Sequence, residues 1–159
     1  MKTCVLILDN LRSVENTGSI FRTAEGLGVS KIYLVGTTPA PTDRFGRKRT
    51  DFSKVALGAE DLVKWEHIAV SNLQFAISNL QKEGFKIVAL EQTSQSIPLQ
   101  TINSNLRPFA LIVGNEVEGV SKEILEISDE IVEIPMQGKK ESLNVSVSTG
   151  IALYALMLR

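Results

Sequence analysis

The chain has 159 residues, with 17 Lys and Arg against 18 Asp and Glu, one His, one Cys and a formal net charge of −1. With 43% hydrophobic and 22% charged residues it has the composition of a soluble globular domain, which excludes an intrinsically disordered chain. No apolar run approaches the ~20 residues of a membrane span, so no membrane partner is expected. One Cys and one His exclude a disulfide framework and a His/Cys metal site, so we expect no metal and a reducing, cytoplasmic location.

The near-neutral charge hides an asymmetry between the two ends of the chain, which we expect to form one domain over residues 1–159. Residues 1–54 carry 9 Lys and Arg and 5 Asp and Glu, whereas residues 55–159 carry 8 and 13. Four basic residues lie within six positions: Arg44, Arg47, Lys48 and Arg49. Such a cluster is either a solvated loop or a patch that contacts phosphates, and charge alone leaves both interpretations open.

Apolar runs and helical patterns alternate along the chain. Strands are predicted, in chain order, at residues 4–8, 31–35, 86–90, 109–113 and 131–134, with a weaker one at 65–70. Helices are predicted from a cap at Asn16 or Thr17 to a stop at Gly28, from Ser71 to Gly84, from about Ser121 to Ile127, and over about 144–158. The alternation predicts an α/β fold, a mostly parallel sheet with helices on both faces, whose site lies beyond the carboxyl ends of the strands.

Three of the loops carry unusual polar residues. After the first strand, Asn16 and Gly18 open a helix that carries Arg22, which is either an anion-binding end or a plain cap with a surface cation. After the fourth main strand, Gly114 allows a close backbone approach or only a turn, and Glu116 follows it.

The third unusual loop precedes the last helix. Ser142 and Asn144 stand at the start of an otherwise apolar helix, where they are alternative N-caps, and Ser146 and Gly150 lie one turn apart. Polar side chains of this kind cost free energy if they are buried without hydrogen-bond partners, and helix capping accounts for only some of them. Other sites are excluded or disfavoured: Gly26-Leu27-Gly28 is no dinucleotide fingerprint, His67 is read as structural or surface, and Cys4 as inert core.

Together, the three loops carry an ordered set of motifs. They read Asn16-x-Gly18-x-x-x-Arg22-Thr23-Ala24, Ile112-Val113-Gly114-Asn115-Glu116-x-x-Gly119-Val120, and Ile134-Pro135-Met136 leading to Ser142-Leu143-Asn144-Val145-Ser146-Val147. Their order and spacing, across residues 3–158, resemble those of the SpoU (TrmH-like) RNA 2′-O-methyltransferases of the SPOUT superfamily. Thr149 departs from the small alanine that the family often has there.

The resemblance implies the fold, the cofactor and the residues of the site. It implies a C-terminal trefoil knot and an obligate homodimer with the active site at the subunit interface. The cofactor would be S-adenosyl-L-methionine, held near Leu90, Gly114, Ile134, Met136, Ser142 and Leu143. The catalytic set would be Arg22 with Asn16, Glu116, Ser142 and Asn144; because arginine keeps its proton, we expect Arg22 to hold a phosphate and the attacking oxygen.

The resemblance predicts methyl transfer to a ribose 2′-hydroxyl of RNA, with tRNA favoured over rRNA. The length leaves no room for a separate RNA-binding domain, so we expect the core itself to bind RNA through Arg12, Arg44, Arg47, Lys48, Arg49 and Lys54. An alternative is a non-catalytic RNA-binding or assembly factor that retains the fold. A nucleotide-binding oxidoreductase is disfavoured because the glycine fingerprint is absent.

Overall fold

A computed structural model describes residues 3–103, 106 and 108–158. Its strands are β1 (Cys4–Asp9), β2 (Lys31–Val35), β3 (Trp65–Ile68), β4 (Lys86–Leu90), β5 (Ile97–Pro98), β6 (Phe109–Val113) and β7 (Glu130–Glu133). Its α-helices are α1 (Val14–Leu27), α2 (Thr50–Ala56), α3 (Ala59–Leu62), α4 (Leu73–Lys82), α5 (Lys122–Glu126) and α6 (Val145–Met157). Short 3-10 turns span Val70–Asn72 and Leu99–Thr101.

The described strands form one sheet in which every neighbouring pair is parallel. Their order is β3-β2-β1-β6-β4-β7-β5, so β1 and β6 lie at the centre. Every residue of these two strands is buried, because helices cover both faces of the sheet. The predicted α/β class, with a parallel sheet between helices, is confirmed.

Alternate strand residues supply two separate cores. One face of the sheet packs against apolar residues of α1, α2, α3 and α6, including Phe21, Phe52 and Leu153. The other face packs against α4 and α5 through residues such as Ile77 and Ile124. Each strand thus needs apolar residues on both sides, which is why the strands read as continuous apolar runs.

Several predicted boundaries move in the structure. The prediction that Asn16 or Thr17 caps the first helix is wrong, because α1 begins earlier and Ser13 accepts a hydrogen bond from the Asn16 backbone N–H. The helix stop at Gly28 is confirmed, since this residue has a φ of 76°. The predicted helix start at Ser71 is also wrong: Ser71 lies inside a 3-10 turn, and α4 follows Asn72.

The apolar face of α6 points away from the core. Val147, Ile151, Tyr154 and Leu158 are all exposed, by 50%, 42%, 61% and 63%. Core packing therefore does not explain this face. The buried side of α6 consists of Thr149, Ala152, Leu153 and Leu156 with Val145, and it lies against α1 and the sheet.

Candidate active site at the carboxyl edge of the sheet

A large cleft opens beyond the carboxyl ends of β4, β6 and β7. Its volume is about 890 Å³, within the range of small-molecule sites. Parallel strands bring their carboxyl ends to one edge, so loops far apart in sequence meet there. All six residues predicted to hold the cofactor line this cleft: Leu90, Gly114, Ile134, Met136, Ser142 and Leu143.

The loop after β6 is folded back tightly on itself. Asn115 is buried, and its Oδ1 accepts hydrogen bonds from the Val117 and Glu118 backbone N–H groups at 2.8 and 3.1 Å. A Cβ on Gly114 would lie under 3.0 Å from backbone atoms of Gly119 and Val120. The close approach that glycine permits at 114 is therefore an approach of the loop to its own backbone.

Glu91 joins this loop to the end of β4. Its Oε2 accepts a hydrogen bond from the Val120 N–H at 2.9 Å, and its Oε1 accepts one from the Gln92 N–H at 2.8 Å. The Asn115 Nδ2 in turn donates to the Asn10 carbonyl at 2.7 Å, beyond the end of β1. The loop after β6 is thus held to the ends of β4 and β1, by Glu91, which lies in none of the three motifs, and by Asn115.

Asn16, Glu116 and Asn144 form one hydrogen-bonded chain that joins the first turn of α1, the loop after β6 and the N-cap of α6. The Asn16 Nδ2 donates to Glu116 Oε1 at 3.2 Å, and the Asn144 Nδ2 donates to Asn16 Oδ1 at 3.1 Å. Asn144 also caps α6, accepting from the Ser146 N–H at 2.9 Å and the Ser146 Oγ at 2.6 Å. The structure therefore brings together three of the five residues predicted to be catalytic, and Ser142 lines the adjoining cleft.

Arg22 stands apart from this chain of hydrogen bonds. Six helical residues turn through ~600°, which sets Arg22 about 120° around α1 from Asn16 and ~9 Å along its axis. Arg22 is exposed and does not line the cleft. Its neighbour Thr23 packs closely against α6, since a Cβ on Gly150 would meet the Thr23 methyl group at 3.6 Å. Arg22 thus lies in sequence directly before the residue of α1 that contacts α6, the helix with the exposed apolar face.

The cleft is acidic. Five carboxylates line it, and no Lys, Arg or His of the described residues does; the five are Glu91, Glu116, Glu118, Glu133 and Glu141. Apolar side chains such as Leu90, Ile134 and Met136 lie among them. Such a lining attracts a ligand that combines an apolar or aromatic part with positive charge and repels a phosphate.

The residues predicted to bind RNA lie outside the cleft, and several are paired with acids. Arg47, Lys48 and Arg49 bridge to Asp43, Asp61 and Asp51 at 2.7–2.8 Å. The pKa of the Asp43 carboxyl is lowered, chiefly by the hydrogen bond from the Arg47 backbone N–H. The pKa of the Asp51 carboxyl is also lowered, chiefly by the hydrogen bond from the Arg49 side chain. Residues 44–49 therefore form an ordered surface that leads into α2, with Arg49 as the N-cap of that helix. Arg12 and Lys54 are exposed.

Two buried groups at this end of the sheet affect stability. Thr38 is 3% exposed; its Oγ1 accepts from the Leu11 N–H at 3.0 Å and lies 2.8 and 2.9 Å from the carbonyls of Leu8 and Val35. It therefore fastens the ends of β1 and β2 together. Asp9, the last residue of β1, is 6% exposed, and burial raises the pKa of its carboxyl group.

Two further predictions concern Cys4 and His67. Burial raises the pKa of the Cys4 thiol to about 12, so Cys4 is inert core as predicted. His67 is exposed, and its Nε2 lies 2.8 Å from the Gly36 carbonyl, which is a structural role.

Across residues 3–103, 106 and 108–158, no group of side chains could hold a metal ion, and no helix could span a membrane.

Comparison with known proteins shows one family. Residues 3–154 match the SpoU rRNA Methylase family. The chain is 34% identical over 154 residues to the tRNA (guanosine(18)-2′-O)-methyltransferase of Aquifex aeolicus, covering 96% of this chain and 68% of that one. It is 34% identical over 150 residues to the 23S rRNA (guanosine-2′-O-)-methyltransferase RlmB of Pectobacterium atrosepticum, covering 94% and 57%.

A solved structure agrees with these relatives. The AdoMet-bound rRNA methyltransferase from Sinorhizobium meliloti superimposes with a TM-score of 0.82 and 27% identity, covering 98% of this chain and 56% of that one. The chain thus spans between about half and two thirds of the length of these proteins. The match over almost all of its residues confirms the resemblance seen in the three motifs, and the chain belongs to the SpoU methylase family.

Proposed function

We propose that this protein transfers a methyl group from S-adenosylmethionine to a ribose 2′-hydroxyl of RNA, as a cytoplasmic homodimer, with tRNA favoured over rRNA. One observation carries the proposal: the acidic, partly apolar cleft lies directly beside the Asn16–Glu116–Asn144 chain of hydrogen bonds. Small-molecule binding and polar positioning groups thus meet at one edge of the sheet.

The chemistry of the cleft fits this cofactor. S-adenosylmethionine carries an adenine, a sulfonium and an ammonium group; the apolar residues Leu90, Ile134 and Met136 would hold the adenine, and the carboxylates face the positive charges. Gly114, Ser142 and Leu143 complete the lining. That a family member of similar structure is AdoMet-bound supports the assignment. When bound, the cofactor supplies the methyl group.

The chain's own residues orient the ribose and a phosphate. Glu116 is held by Asn16, so its carboxylate is fixed at the mouth of the cleft, where an oxygen can accept a hydrogen bond from a ribose hydroxyl. Asn144 is fixed in the same way by Asn16 and by its own cap. Orienting a reacting hydroxyl in this way accounts for a large part of many enzymatic accelerations. Arg22 would hold a neighbouring phosphate.

Arg22 acts on the partner subunit's cleft in this proposal. In one subunit Arg22 is exposed and does not line the cleft, its neighbour Thr23 contacts α6, and α6 presents a row of exposed apolar side chains. Burying that row against a second copy places Arg22 at the interface. We propose that Arg22 of each subunit reaches the cleft of the other; because a two-fold interface is self-complementary, both clefts would then be completed in the same way.

Mixing two inactive variants tests this arrangement. Arg22→Ala and Asn144→Ala should each abolish methyl transfer alone. Mixed after unfolding and refolding together, they should recover about a quarter of the wild-type rate, because half of the dimers are mixed and each mixed dimer has one intact site. No recovery, with mixed dimers demonstrated by tagged subunits, would place Arg22 in the cleft of its own subunit.

The activity is tested with the cofactor and with RNA. Calorimetry should show S-adenosylmethionine binding, and Glu118→Gln with Glu141→Gln should weaken it, whereas Glu123→Gln on α5, outside the cleft, should not. Labelled methyl groups should pass to bulk small RNA at 2′-oxygens, and faster to tRNA than to ribosomal RNA fragments. Binding of RNA without any binding of S-adenosylmethionine at millimolar concentration would favour the non-catalytic alternative.

A further inference from the structure

A small hairpin after β2 holds an aromatic side chain in solvent. The hairpin spans residues 42–48 and is closed by the antiparallel bridge between Thr42 and Lys48. The Asp43 N–H donates to the Arg47 carbonyl at 2.9 Å, and Asp43 Oδ1 accepts from the N–H groups of Phe45 and Arg47 at 2.8 and 3.0 Å. Gly46 takes a φ of 78° at the tip. The backbone that carries Phe45 is therefore fixed.

Phe45 has no role in the core. Its side chain is 66% exposed and belongs to neither hydrophobic cluster. The guanidinium carbons of Arg44 and Arg47 lie 4.7 and 5.1 Å from the centre of its ring. Both guanidinium groups lie over the ring, its remaining area faces solvent, and the fold gains little from holding it there.

This combination matches the chemistry of single-stranded RNA. Nucleobases stack on exposed aromatic rings, and cations beside the ring contact the phosphates on either side. Within the hairpin Arg44, Arg47 and Lys48 stand against Asp43, which bridges to Arg47, while Lys48 bridges to Asp61 outside the hairpin. These bridges are exposed, so a phosphate can compete for the basic groups. An apolar protein partner would not require these charges, whereas a polyanion with flat bases uses both features.

The position of the hairpin agrees with such a role. Its segment leaves the carboxyl end of β2, where Thr38 fastens it to the end of β1. The cleft opens at the same edge, beyond β6, which pairs with β1. Neighbouring strands lie ~4.8 Å apart, so the root of the segment lies about 10 Å from the β6 end of the cleft.

We propose that Phe45 is a stacking platform for an unpaired base of the RNA substrate, with Arg44 and Arg47 on the flanking phosphates. The proposal rests on the proposed function only in taking RNA as the partner. Beside the basic residues Arg44 and Arg47, Phe45 would stack on the flat face of a base. Such a platform favours RNA loops and single strands over duplex RNA, whose bases are already stacked.

A matched pair of variants tests the platform in the full-length chain. Phe45→Leu keeps an apolar side chain and removes the ring, whereas Phe75→Leu does the same on α4, where Phe75 is 67% exposed and has no basic residue at its ring among the described contacts. Phe45→Leu should lower the affinity for a single-stranded RNA oligonucleotide at least about five-fold, and Phe75→Leu should leave it unchanged. Phe45→Trp should retain the wild-type affinity.

A second readout follows stacking itself. The chain has one tryptophan, Trp65, so Phe45→Trp adds a second whose fluorescence should be quenched by the oligonucleotide, with the wild-type chain giving the Trp65 background. Equal affinities of wild type and Phe45→Leu, or no added quenching, would overturn the proposal. So would a change of oligomeric state in Phe45→Leu at unchanged RNA affinity, which would make Phe45 a protein contact.

The cofactor experiments separate this proposal from the proposed function. If Phe45→Leu loses RNA affinity but the wild-type chain neither binds S-adenosylmethionine nor transfers a methyl group, the platform stands and the methyltransferase proposal fails. If methyl transfer to RNA is intact in Phe45→Leu at low RNA concentration, the enzyme stands and the platform fails.

Discussion

Gly114→Ala is the sharpest perturbation of the candidate site. The new Cβ would lie under 3.0 Å from backbone atoms of Gly119 and Val120, a separation that real Cβ atoms essentially never show. A flexible side chain could move aside, but backbone atoms can move only if the loop that follows β6 opens. The substitution therefore tests whether this fold of the loop is needed for the cleft.

The magnitude follows from the contacts that the loop must give up. Overpacking costs ~1–3 kcal/mol, and opening the loop also breaks the hydrogen bond from the Val120 N–H to Glu91, where bonds to charged groups contribute ~1.5–3 kcal/mol. We therefore expect a loss of about 3 kcal/mol or more in the free energy of unfolding. That is a large fraction of the 5–15 kcal/mol typical of a domain.

Urea unfolding followed by circular dichroism measures this loss, and calorimetry measures S-adenosylmethionine affinity in the same preparations. Gly26→Ala is the matched control, because nothing lies within 4 Å of its Cβ and it stands in the last turn of α1, where alanine should add up to ~1 kcal/mol of stability. Gly114→Ala with wild-type stability and wild-type affinity would refute the assigned role of the loop.

Four further results are expected. Asn16→Asp should lower methyl transfer at least about ten-fold while changing stability by less than ~1 kcal/mol, because it sets a carboxylate against Glu116 at an exposed site; an undiminished rate would remove Asn16 from the mechanism. Thr38→Val should cost about 1–3 kcal/mol in urea unfolding, since it leaves buried backbone groups unpaired, and Thr38→Ser should recover most of that loss. The native state binds a proton at Asp9 more tightly than the unfolded chain does, so the contribution of Asp9 to stability falls as pH rises through its unfolded and folded pKa values. Asp9→Asn should therefore gain more stability over wild type at pH 7 than at pH 4. An equal gain at both pH values would contradict the raised pKa of Asp9. The Cys4 thiol should react with a thiol reagent at neutral pH only as fast as the chain unfolds, and rapid reaction of the folded protein would contradict its burial.

The bounds of the main strands could be predicted closely, because strands that are buried on both faces consist of almost continuous apolar residues. Lys31–Val35, Lys86–Leu90 and Phe109–Val113 have the predicted bounds, and the run predicted at 131–134 shifts by one residue to Glu130–Glu133. Ile97–Pro98 was missed, since two residues show no periodicity. The helices α2 and α3 were missed because the nearby charges read as a loop and only a few apolar residues mark them.

The residues of the candidate site could be predicted from the motifs, but the hydrogen bonds that join them could not. The three motifs place Asn16, Glu116 and Asn144 far apart in the sequence, and only the fold shows that they share hydrogen bonds across 100 and 128 residues. Glu91 was missed for the same reason: its partner, the Val120 N–H, is 29 residues away. The knot, the homodimer, the single domain and the roles of the site residues stay predictions.

The opposite charges of the two surfaces would constrain how an RNA substrate reaches the site in the proposed function. The cleft presents carboxylates and no basic side chain among the described residues, so a phosphate is repelled from it, whereas Arg44 and Arg47 lie on the hairpin and Arg22 on α1. In the proposed function the RNA backbone would therefore stay outside the cleft, with a single ribose at its mouth. Among the carboxylates of the cleft, Glu116 is the one joined to Asn16, and this hydrogen bond restrains where its negative charge lies. The formal net charge of −1 averages over this separation, which in the proposed function would let one small chain attract both a cationic cofactor and a polyanion.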